Sequence, residues 1–229
     1  MTKYFFVLAH PEAKSCCASM YNAAVAACIA AGHEVKVSDL YAMNFNPVTS
    51  RANFKSVKNP DFFKPQAEEA HASTIENGYS DELETEMQKL EWCDILVFQF
   101  PMYWFSMPAI LKGWCDRVLA SGRIYGGSVG MYGSHKFQKG EVPKRALLSL
   151  TTGGPEPGYL PGGFNGDWNG ILRPIHRGIF EFCGFTVLAP NLMFGAAQAG
   201  DEVRKVKIQE WADRAPKLAE EQPFVVGNY

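Results

Sequence analysis

The chain has 229 residues, of which 47% are apolar, and this is long enough to bury the core of one large domain. Its 22 basic and 24 acidic residues leave a formal net charge of −2, and no run of five basic residues occurs, so we expect no nucleic-acid partner. The N-terminus has no secretory pattern and no stretch is apolar over bilayer length, so we expect no membrane partner.

The six cysteines, at positions 16, 17, 28, 93, 115 and 183, lie mostly inside apolar segments and show no CxxC spacing. Reduced thiols in a protein core have this distribution, whereas disulfide frameworks and zinc sites show regular spacings. We therefore predict a cytoplasmic protein without disulfides.

Short apolar runs alternate with helical patterns along the chain. Residues 4–9 are apolar without interruption, which is typical of a strand buried on both faces of a parallel sheet. Further strands are predicted at residues 34–37, 95–100, 146–151 and 186–189. Helices are predicted between them, at residues 20–31, 81–93, 106–119, 175–182 and 201–218. We therefore predict an α/β fold with a doubly wound, five-stranded parallel sheet.

Cap residues indicate the helix boundaries. Ser80 and Ser106 stand where N-caps are expected, and Gly32 and Gly184 stand where helices end. The periodicity lapses at residues 41–80, a long polar insertion that we expect to cover a subunit partner or a cofactor. Residues 1–220 are predicted to form a single domain, and residues 221–229 a C-terminal tail.

Three loops should meet in one crevice, because ligands of doubly wound sheets bind outside the carboxyl ends of the strands. These loops are residues 10–15, 101–106 and 152–166. The first contains neither GxGxxG nor GxxxxGK[ST], which argues against a dinucleotide-binding Rossmann site and a P-loop. It does offer His10, Lys14, Ser15 and a helix N-terminus to an anionic phosphate.

The other two loops suit a flat ligand. Trp104 and Phe105 could stack on a conjugated ring, although aromatics after a strand can equally be core residues. Gly153 and Gly154, after Thr151 and Thr152, would let the backbone approach a ring and present N–H groups to it, although glycine loops are also ordinary turns.

Four stretches together resemble the NAD(P)H:quinone oxidoreductase family. The longest is QFPMYWFSMPAILKGWCDRV at residues 99–118, and the others are SDLYAMNF at 38–45, TTGG at 151–154 and FCGFTVL at 182–188. They follow the family's order over nearly the whole chain. The resemblance implies a flavodoxin-like fold, a non-covalently bound FAD, and a homodimer whose active sites lie at the subunit interface.

By position, the resemblance implies that all three loops surround the flavin. The expected flavin-binding residues are His10, Ser15, Cys16 and Cys17 at the pyrophosphate, Pro101, Met102, Trp104 and Phe105 along the isoalloxazine, Thr151, Thr152, Gly153, Gly154 and Tyr159 at its polar edge, and Arg204 near the adenylate. Cys16 and Cys17 replace the Phe-Asn of the family, so this phosphate contact is altered, and their thiols are either packed or reactive. Arg204 and the long insertion favour FAD over FMN.

The family's mechanism has two steps: a reduced nicotinamide gives hydride to the flavin N5, and a quinone is then reduced in the same pocket. The expected catalytic residues are Tyr159, Asn165 and Gly153, with Tyr159 donating a hydrogen bond to the charge that develops at the flavin N1 and O2 edge. Many members have a histidine where this chain has Asn165, and asparagine can hydrogen-bond but cannot shuttle a proton. Asn165 and the missing C-terminal extension resemble the dihydronicotinamide riboside:quinone reductase branch, so the donor is either NAD(P)H or a smaller dihydronicotinamide.

The residues expected to face the substrate are Phe105, Tyr125, Tyr132 and Phe182, with Phe182 contributed by the partner subunit. Some relatives bind a structural metal through two histidines and a cysteine, but the histidine positions here carry Arg177 and Glu181, so we expect no metal. The histidines at 33, 71, 135 and 176 are expected to be surface or capping residues, with His135 also able to reach the pocket.

Two other functions remain open from the sequence. One is an FMN-dependent azo- or nitroreductase. The other is a flavodoxin-like regulatory subunit of a potassium-efflux system.

Overall fold

In the computed structural model, which describes residues 1–140 and 142–227, helices cover both faces of a parallel sheet. The strands are β1 (Lys3–Leu8), β2 (Glu34–Asp39), β3 (Ile95–Pro101), β4 (Arg145–Thr151), β5 (Thr186–Val187) and β6 (Asn191–Met193). The α-helices are α1 (Cys16–Ala30), α2 (Pro65–Ala72), α3 (Asp81–Trp92), α4 (Ala109–Val118), α5 (Trp168–Ile175) and α6 (Asp201–Arg214). The strand order is β2-β1-β3-β4-β5, and β6 also pairs with β4.

The sheet separates two apolar clusters, because alternate side chains of a strand point to opposite faces. In β3, Phe98 and Phe100 pack with α3, α4 and α5, whereas Ile95 and Val97 pack with α1 and α6. All seven residues of β3 are buried. The predicted doubly wound α/β fold is confirmed.

The sheet has six strands rather than the predicted five. The predicted strand at 186–189 ends at Val187, and after Pro190 the chain returns to β4 as β6, which sequence analysis missed. Proline has no N–H for the ladder, so a break at this position follows from its chemistry. Both β5 and β6 run beside β4, and they share the fifth position of the sheet.

Most predicted helix ends are confirmed, but one cap is wrong. Ser80 accepts a hydrogen bond from the Leu83 N–H, and Gly32 and Gly184 have left-handed φ values of 82° and 77°. The predicted N-cap Ser106 does not cap α4, which begins three residues later at Ala109. The backbone of Ser106 instead exchanges two hydrogen bonds of 3.0 Å with Tyr103.

The last two helices are less regular than predicted. After α5 the chain continues as a π-helical turn, His176–Glu181, which follows the internal Pro174. The final helix ends at Arg214 rather than at Leu218, and Ala215–Glu220 is a 3-10 helix that contains Pro216. Proline removes a backbone donor in each case, so the regular ladder cannot continue through it.

The insertion at 41–80 packs against the helices next to it. It contains a 3-10 turn, Arg51–Asn53, and helix α2. Arg117 of α4 donates to Asn53 Oδ1 at 3.0 Å and also to the Asn46 carbonyl. Farther along the chain, the predicted tail lies on the sheet edge, since the Phe224 N–H bonds to Val187 O at 2.8 Å and Val226 is buried.

No helix among the described residues is long and apolar enough to cross a membrane. The six cysteines are unpaired, and all but Cys16 are buried.

His135 and His176 are fully buried, so a surface position is wrong for both. The capping alternative is confirmed, since His135 is the C-cap of the 3-10 turn Tyr132–Ser134 and His176 is the C-cap of α5. His135 accepts the Phe137 N–H at Nδ1, and its Nε2 bonds to the Ile124 carbonyl. His176 packs against Phe180 and Phe224, and neither ring nitrogen has a hydrogen-bond partner in the part of the chain that the structure describes. The polarity of a single residue does not reveal such burial.

His176→Leu should raise the free energy of unfolding. At neutral pH it removes an unsatisfied buried group, which costs about 1–3 kcal/mol. Burial lowers the pKa of His176 from 6.5 to about 4, so the native protein loses stability as the pH falls through this window. The advantage of leucine should therefore grow by roughly 2 kcal/mol at about pH 5.

Urea unfolding at neutral and acidic pH measures both effects. His71→Leu, at a partly exposed position of α2, is the matched control. An equal change of stability with pH in the wild type and in His176→Leu would contradict the prediction.

Candidate active site

A cavity of about 550 Å³ opens at the carboxyl ends of β1, β3 and β4. The three predicted loops meet there, joined by the segment after β6 and by α6. It is lined by His10, Lys14, Ser15, Cys16, Cys17, Ser19, Pro101, Met102, Tyr103, Thr151, Thr152, Gly153, Ala196, Ala197, Arg204 and Ile208. Ten of these lining residues were predicted to bind the flavin: His10, Ser15, Cys16, Cys17, Pro101, Met102, Thr151, Thr152, Gly153 and Arg204.

One end of the cavity suits a phosphate. Ser15 is the N-cap of α1 and accepts the Ala18 N–H at 3.0 Å, so the first turn of the helix points its free N–H groups outward. His10 accepts the Glu12 N–H at Nδ1, which leaves the hydrogen of the neutral ring on Nε2. With Lys14 beside them, these groups are all donors to an anion.

The paired cysteines lie at the same helix end. Cys17 is buried, and its sulfur accepts from Gln99 Nε2 at 3.5 Å. The Cys16 thiol lies 3.3 Å from the Met193 sulfur. Burial raises the pKa of both thiols, that of Cys17 to about 12, so at neutral pH both are uncharged. This favours packed rather than reactive thiols.

Trp104 and Phe105 form a strained corner after β3. Both have left-handed φ values, 50° and 59°, and the two backbone hydrogen bonds between Tyr103 and Ser106 close the turn around them. Such turns favour Asn-Gly, and a left-handed bulky residue costs about 1–2 kcal/mol. Trp104 is 96% exposed and Phe105 47%, so the corner projects both rings outward, and neither lines the cavity.

The glycine loop is fixed by the segment that follows β6. Thr152 N donates to Met193 O at 2.9 Å, and Ala196 N donates to Thr152 O at 3.0 Å. Gly195 N donates to Gly154 O at 2.7 Å. These bonds hold Gly153 at the cavity wall, where a Cβ would meet no protein atom within 4 Å.

Tyr159, Asn165 and Gly154 lie together at the end of this loop. A Cβ on Gly154 would lie 3.2 Å from the Tyr159 ring and 3.3 Å from Asn165 Nδ2. The Tyr159 ring packs on Phe194 with centroids 5.5 Å apart, and its hydroxyl forms no hydrogen bond with the described residues. The predicted catalytic residues are therefore neighbours, although only Gly153 lines the cavity itself.

Arg204 reaches the cavity from α6. Its guanidinium donates to the carbonyls of Ala196 and Ala197 at 3.0 and 3.1 Å and pairs with Asp201 at 2.9 Å. No aspartate or glutamate of residues 1–140 or 142–227 lines the cavity, so Lys14 and Arg204 make it cationic.

A family model for the flavodoxin-like fold matches residues 2–217. The chain is 42% identical over 223 residues to ribosyldihydronicotinamide dehydrogenase (quinone) of Mus musculus, covering 97% of this chain and 94% of the relative. It is 42% identical over 225 residues to NAD(P)H dehydrogenase (quinone) 1 of Cavia porcellus, covering 98% of this chain and 80% of the relative. The chain belongs to the NAD(P)H:quinone oxidoreductase family.

A solved structure supports this assignment. The crystal structure of a Klebsiella pneumoniae protein described as a candidate quinone reductase superposes with a TM-score of 0.89 at 34% identity. The match covers 97% of this chain and 87% of that one. The flavodoxin-like fold predicted from the family resemblance is therefore confirmed.

The cavity fits the flavin that a quinone oxidoreductase of this fold requires. At Gly153 no neighbouring protein atom and no left-handed φ requires glycine, so the bare backbone leaves room for a ligand. The donors at the N-terminus of α1 suit a phosphate, and the hydroxyl of Tyr159 has no hydrogen-bond partner among the described residues.

Three of the four residues predicted to face the substrate form a separate cluster, whereas Phe105 lies in the corner after β3. Phe182 packs against Tyr125 and Tyr132 with ring centroids 5.3 Å apart in each pair. The guanidinium of Arg177 lies 4.6 Å from the Tyr132 ring centroid and pairs with Glu181 at 2.7 Å. None of the three aromatic residues lines the cavity of its own chain.

The positions of a metal site found in some relatives therefore carry the Arg177–Glu181 ion pair. Within the described ranges, no group of three or more His, Cys, Asp or Glu side chains could hold a metal ion.

Sequence analysis missed the part of the site that follows β6. Ala196, Ala197 and Ile208 line the cavity, and Met193 fixes Thr152. The available signal was Pro190, which separates the two short strands β5 and β6. The apolar run before it led instead to the prediction of a single strand at 186–189. An unrecognised strand leaves the loop at its carboxyl end unrecognised as well.

Gly153→Val should abolish flavin binding without lowering stability. The new side chain meets no protein atom, so it projects into the cavity. Fluorescence titration with FAD and with FMN measures binding, and thermal unfolding measures stability. Gly170→Val is the control, because Gly170 also has no neighbour within 4 Å but lies exposed on α5. Undiminished flavin affinity in Gly153→Val would contradict the prediction.

Proposed function

We propose that this chain is an FAD-dependent enzyme that reduces quinones by two electrons, using a reduced nicotinamide as donor. The observation that carries the proposal is the wall formed by Gly153, bare of side chains and next to Tyr159 and Asn165. A flat redox ring fits against this wall, with its phosphates at the N-terminus of α1. The sequence identity with quinone dehydrogenases over nearly the whole chain supports the same reaction.

FAD, rather than FMN, agrees best with the residues that line the cavity. The phosphate-binding end at Ser15 is not its limit, since the cavity continues to Arg204 and Ile208 of α6. Arg204 is held by its carbonyl contacts and is positioned for an anionic or planar group. A ligand with a second nucleotide half would use this extension, and FMN would leave it empty.

The chain's own residues would bind the flavin and stabilise the charge that develops on it. When bound, the flavin supplies the capacity to take up a hydride and pass it on. Tyr159 would donate a hydrogen bond to the ring edge that becomes negative. Asn165 can orient the substrate or the Tyr159 ring, but it cannot carry a proton, so proton delivery must come from solvent or from the phenol.

The donor is proposed to be a smaller dihydronicotinamide rather than NAD(P)H. Asn165, which stands where many members of the family have a histidine, resembles the dihydronicotinamide riboside:quinone reductase branch. The 42% identity with a ribosyldihydronicotinamide dehydrogenase over 97% of this chain agrees with that branch.

A homodimer would complete the site. Tyr125, Tyr132 and Phe182 lie outside the cavity of their own chain, while Trp104 and Phe105 project beside it. A second copy could place the aromatic cluster of one chain over the Trp104–Phe105 corner of the other. This contact would exclude water from the flavin ring.

The unpaired cysteines agree with a cytoplasmic location.

Anaerobic mixing of the purified protein with each donor tests the function. The protein should be yellow, release FAD on heating, and lose its flavin absorbance faster with dihydronicotinamide riboside than with NADH or NADPH. Addition of a quinone should restore the absorbance. Release of FMN would favour an azo- or nitroreductase instead. Flavin that is never reduced, with co-purification of a potassium-efflux transporter, would favour a regulatory subunit.

Tyr159→Phe should retain flavin and slow its reduction by about a hundredfold, because a hydrogen bond to developing charge is lost. Stopped-flow absorbance with saturating donor measures the rate. Tyr21→Phe is the matched control, since Tyr21 is as buried as Tyr159 but belongs to α1 and packs in the core away from the cavity lining. An unchanged reduction rate would remove Tyr159 from this role.

A further inference from the structure

The segment 160–166 is anchored by backbone hydrogen bonds, yet it presents a fully exposed phenyl ring. Gly163 N donates to Leu160 O at 2.8 Å, and Asn165 N donates to Gly158 O at 2.8 Å. A Cβ on Gly163 would overlap the backbone of residues 157 and 158, so the loop is packed closely against the turn before it. Between these two anchors, Phe164 is 100% exposed.

The backbone that carries this ring adjoins the group formed by Tyr159, Asn165 and Gly154. Asn165, the next residue, directs its side chain toward Gly154 and Gly158, so Phe164 stands one residue from the catalytic group. Leu160, at the other end of the same turn, is 40% exposed. We call these two side chains the apolar lip.

The apolar lip belongs to a different segment from the charged residues of the cavity. Lys14 and Arg204 line the cavity on the side of α1 and α6, whereas the lip follows β4. Single exposed apolar residues are common, but here the anchored backbone has already lost the entropy that binding would otherwise cost. An exposed ring on an anchored backbone beside the candidate site is available to contact an apolar ligand.

We propose that Phe164, with Leu160, is a specificity-determining element that binds the apolar substituents of the quinone outside the cavity. The inference rests on the proposed quinone reductase function. Nicotinamide donors carry a polar ribose, so the apolar lip discriminates among quinones rather than among donors. A quinone with a fused ring and an alkyl chain would reach the lip, whereas unsubstituted benzoquinone would not extend beyond the cavity.

Phe164→Ala tests the proposal through a ratio of two substrates. After anaerobic reduction of the flavin, its reoxidation is followed with 1,4-benzoquinone and with a 2-methyl-3-alkyl-1,4-naphthoquinone. The preference for the naphthoquinone, as a ratio of kcat/KM values, should fall about tenfold, mainly through KM, since an apolar contact discriminates by this order. Phe164→Leu should recover most of the preference.

Phe62→Ala is the matched control, because Phe62 is 68% exposed on the insertion and far along the chain from the site. It should leave the ratio unchanged. An unchanged ratio of kcat/KM values in Phe164→Ala would overturn the proposal that the apolar lip determines specificity. So would an equal loss with both quinones together with dissociation in size-exclusion chromatography, since Phe164 would then be a subunit contact. If neither quinone reoxidises the wild-type flavin, it is the proposed function that fails.

Discussion

The backbone hydrogen bonds around Thr152 determine the shape of the candidate site. Its N–H is bound by Met193 and its carbonyl by the Ala196 N–H, so the strand end of β4 is fixed to the turn after β6. Because these bonds use the donors and acceptors on one side of the loop, the Gly153 backbone is left facing the cavity. Tyr159 and Asn165 then take their places around Gly154. The short strand β6 therefore has a larger influence on the site than its three residues suggest.

The site also contains features that cost stability. The left-handed Trp104 and Phe105 occupy backbone conformations that bulky residues avoid, and the turn closed by Tyr103 and Ser106 holds them there. Strain of this kind persists only where the surrounding structure compensates for it, and it concentrates at functional sites. The two apolar clusters on the faces of the sheet supply that stability. The strained turn at Trp104 and Phe105 therefore serves to project two aromatic rings from the surface.

Sequence reasoning succeeded where one physical signal dominates. The uninterrupted apolar runs at β1 and β3 predicted buried strands, and the position of the strand ends predicted which loops meet. Sequence reasoning failed where contacts between distant segments determine a helix end or the burial of a side chain. Ser106 has the chemistry of an N-cap, but its backbone is committed to Tyr103, and the helix starts at Ala109. His135 and His176 are polar residues whose burial depends on packing from distant segments, including Phe224 for His176.

The cysteine pair at the N-terminus of α1 shows how an altered sequence can keep the same electrostatics. An asparagine side chain donates hydrogen bonds to phosphate, and a thiol is a poor replacement for it. However, Cys17 points away from solvent toward Gln99, and burial raises its pKa to about 12, so no thiolate opposes an anion at neutral pH. The donors at this end of the cavity are the helix N–H groups, the Nε2 of His10 and Lys14. Because none of them requires an asparagine at position 17, this end of the cavity keeps donors that suit an anion.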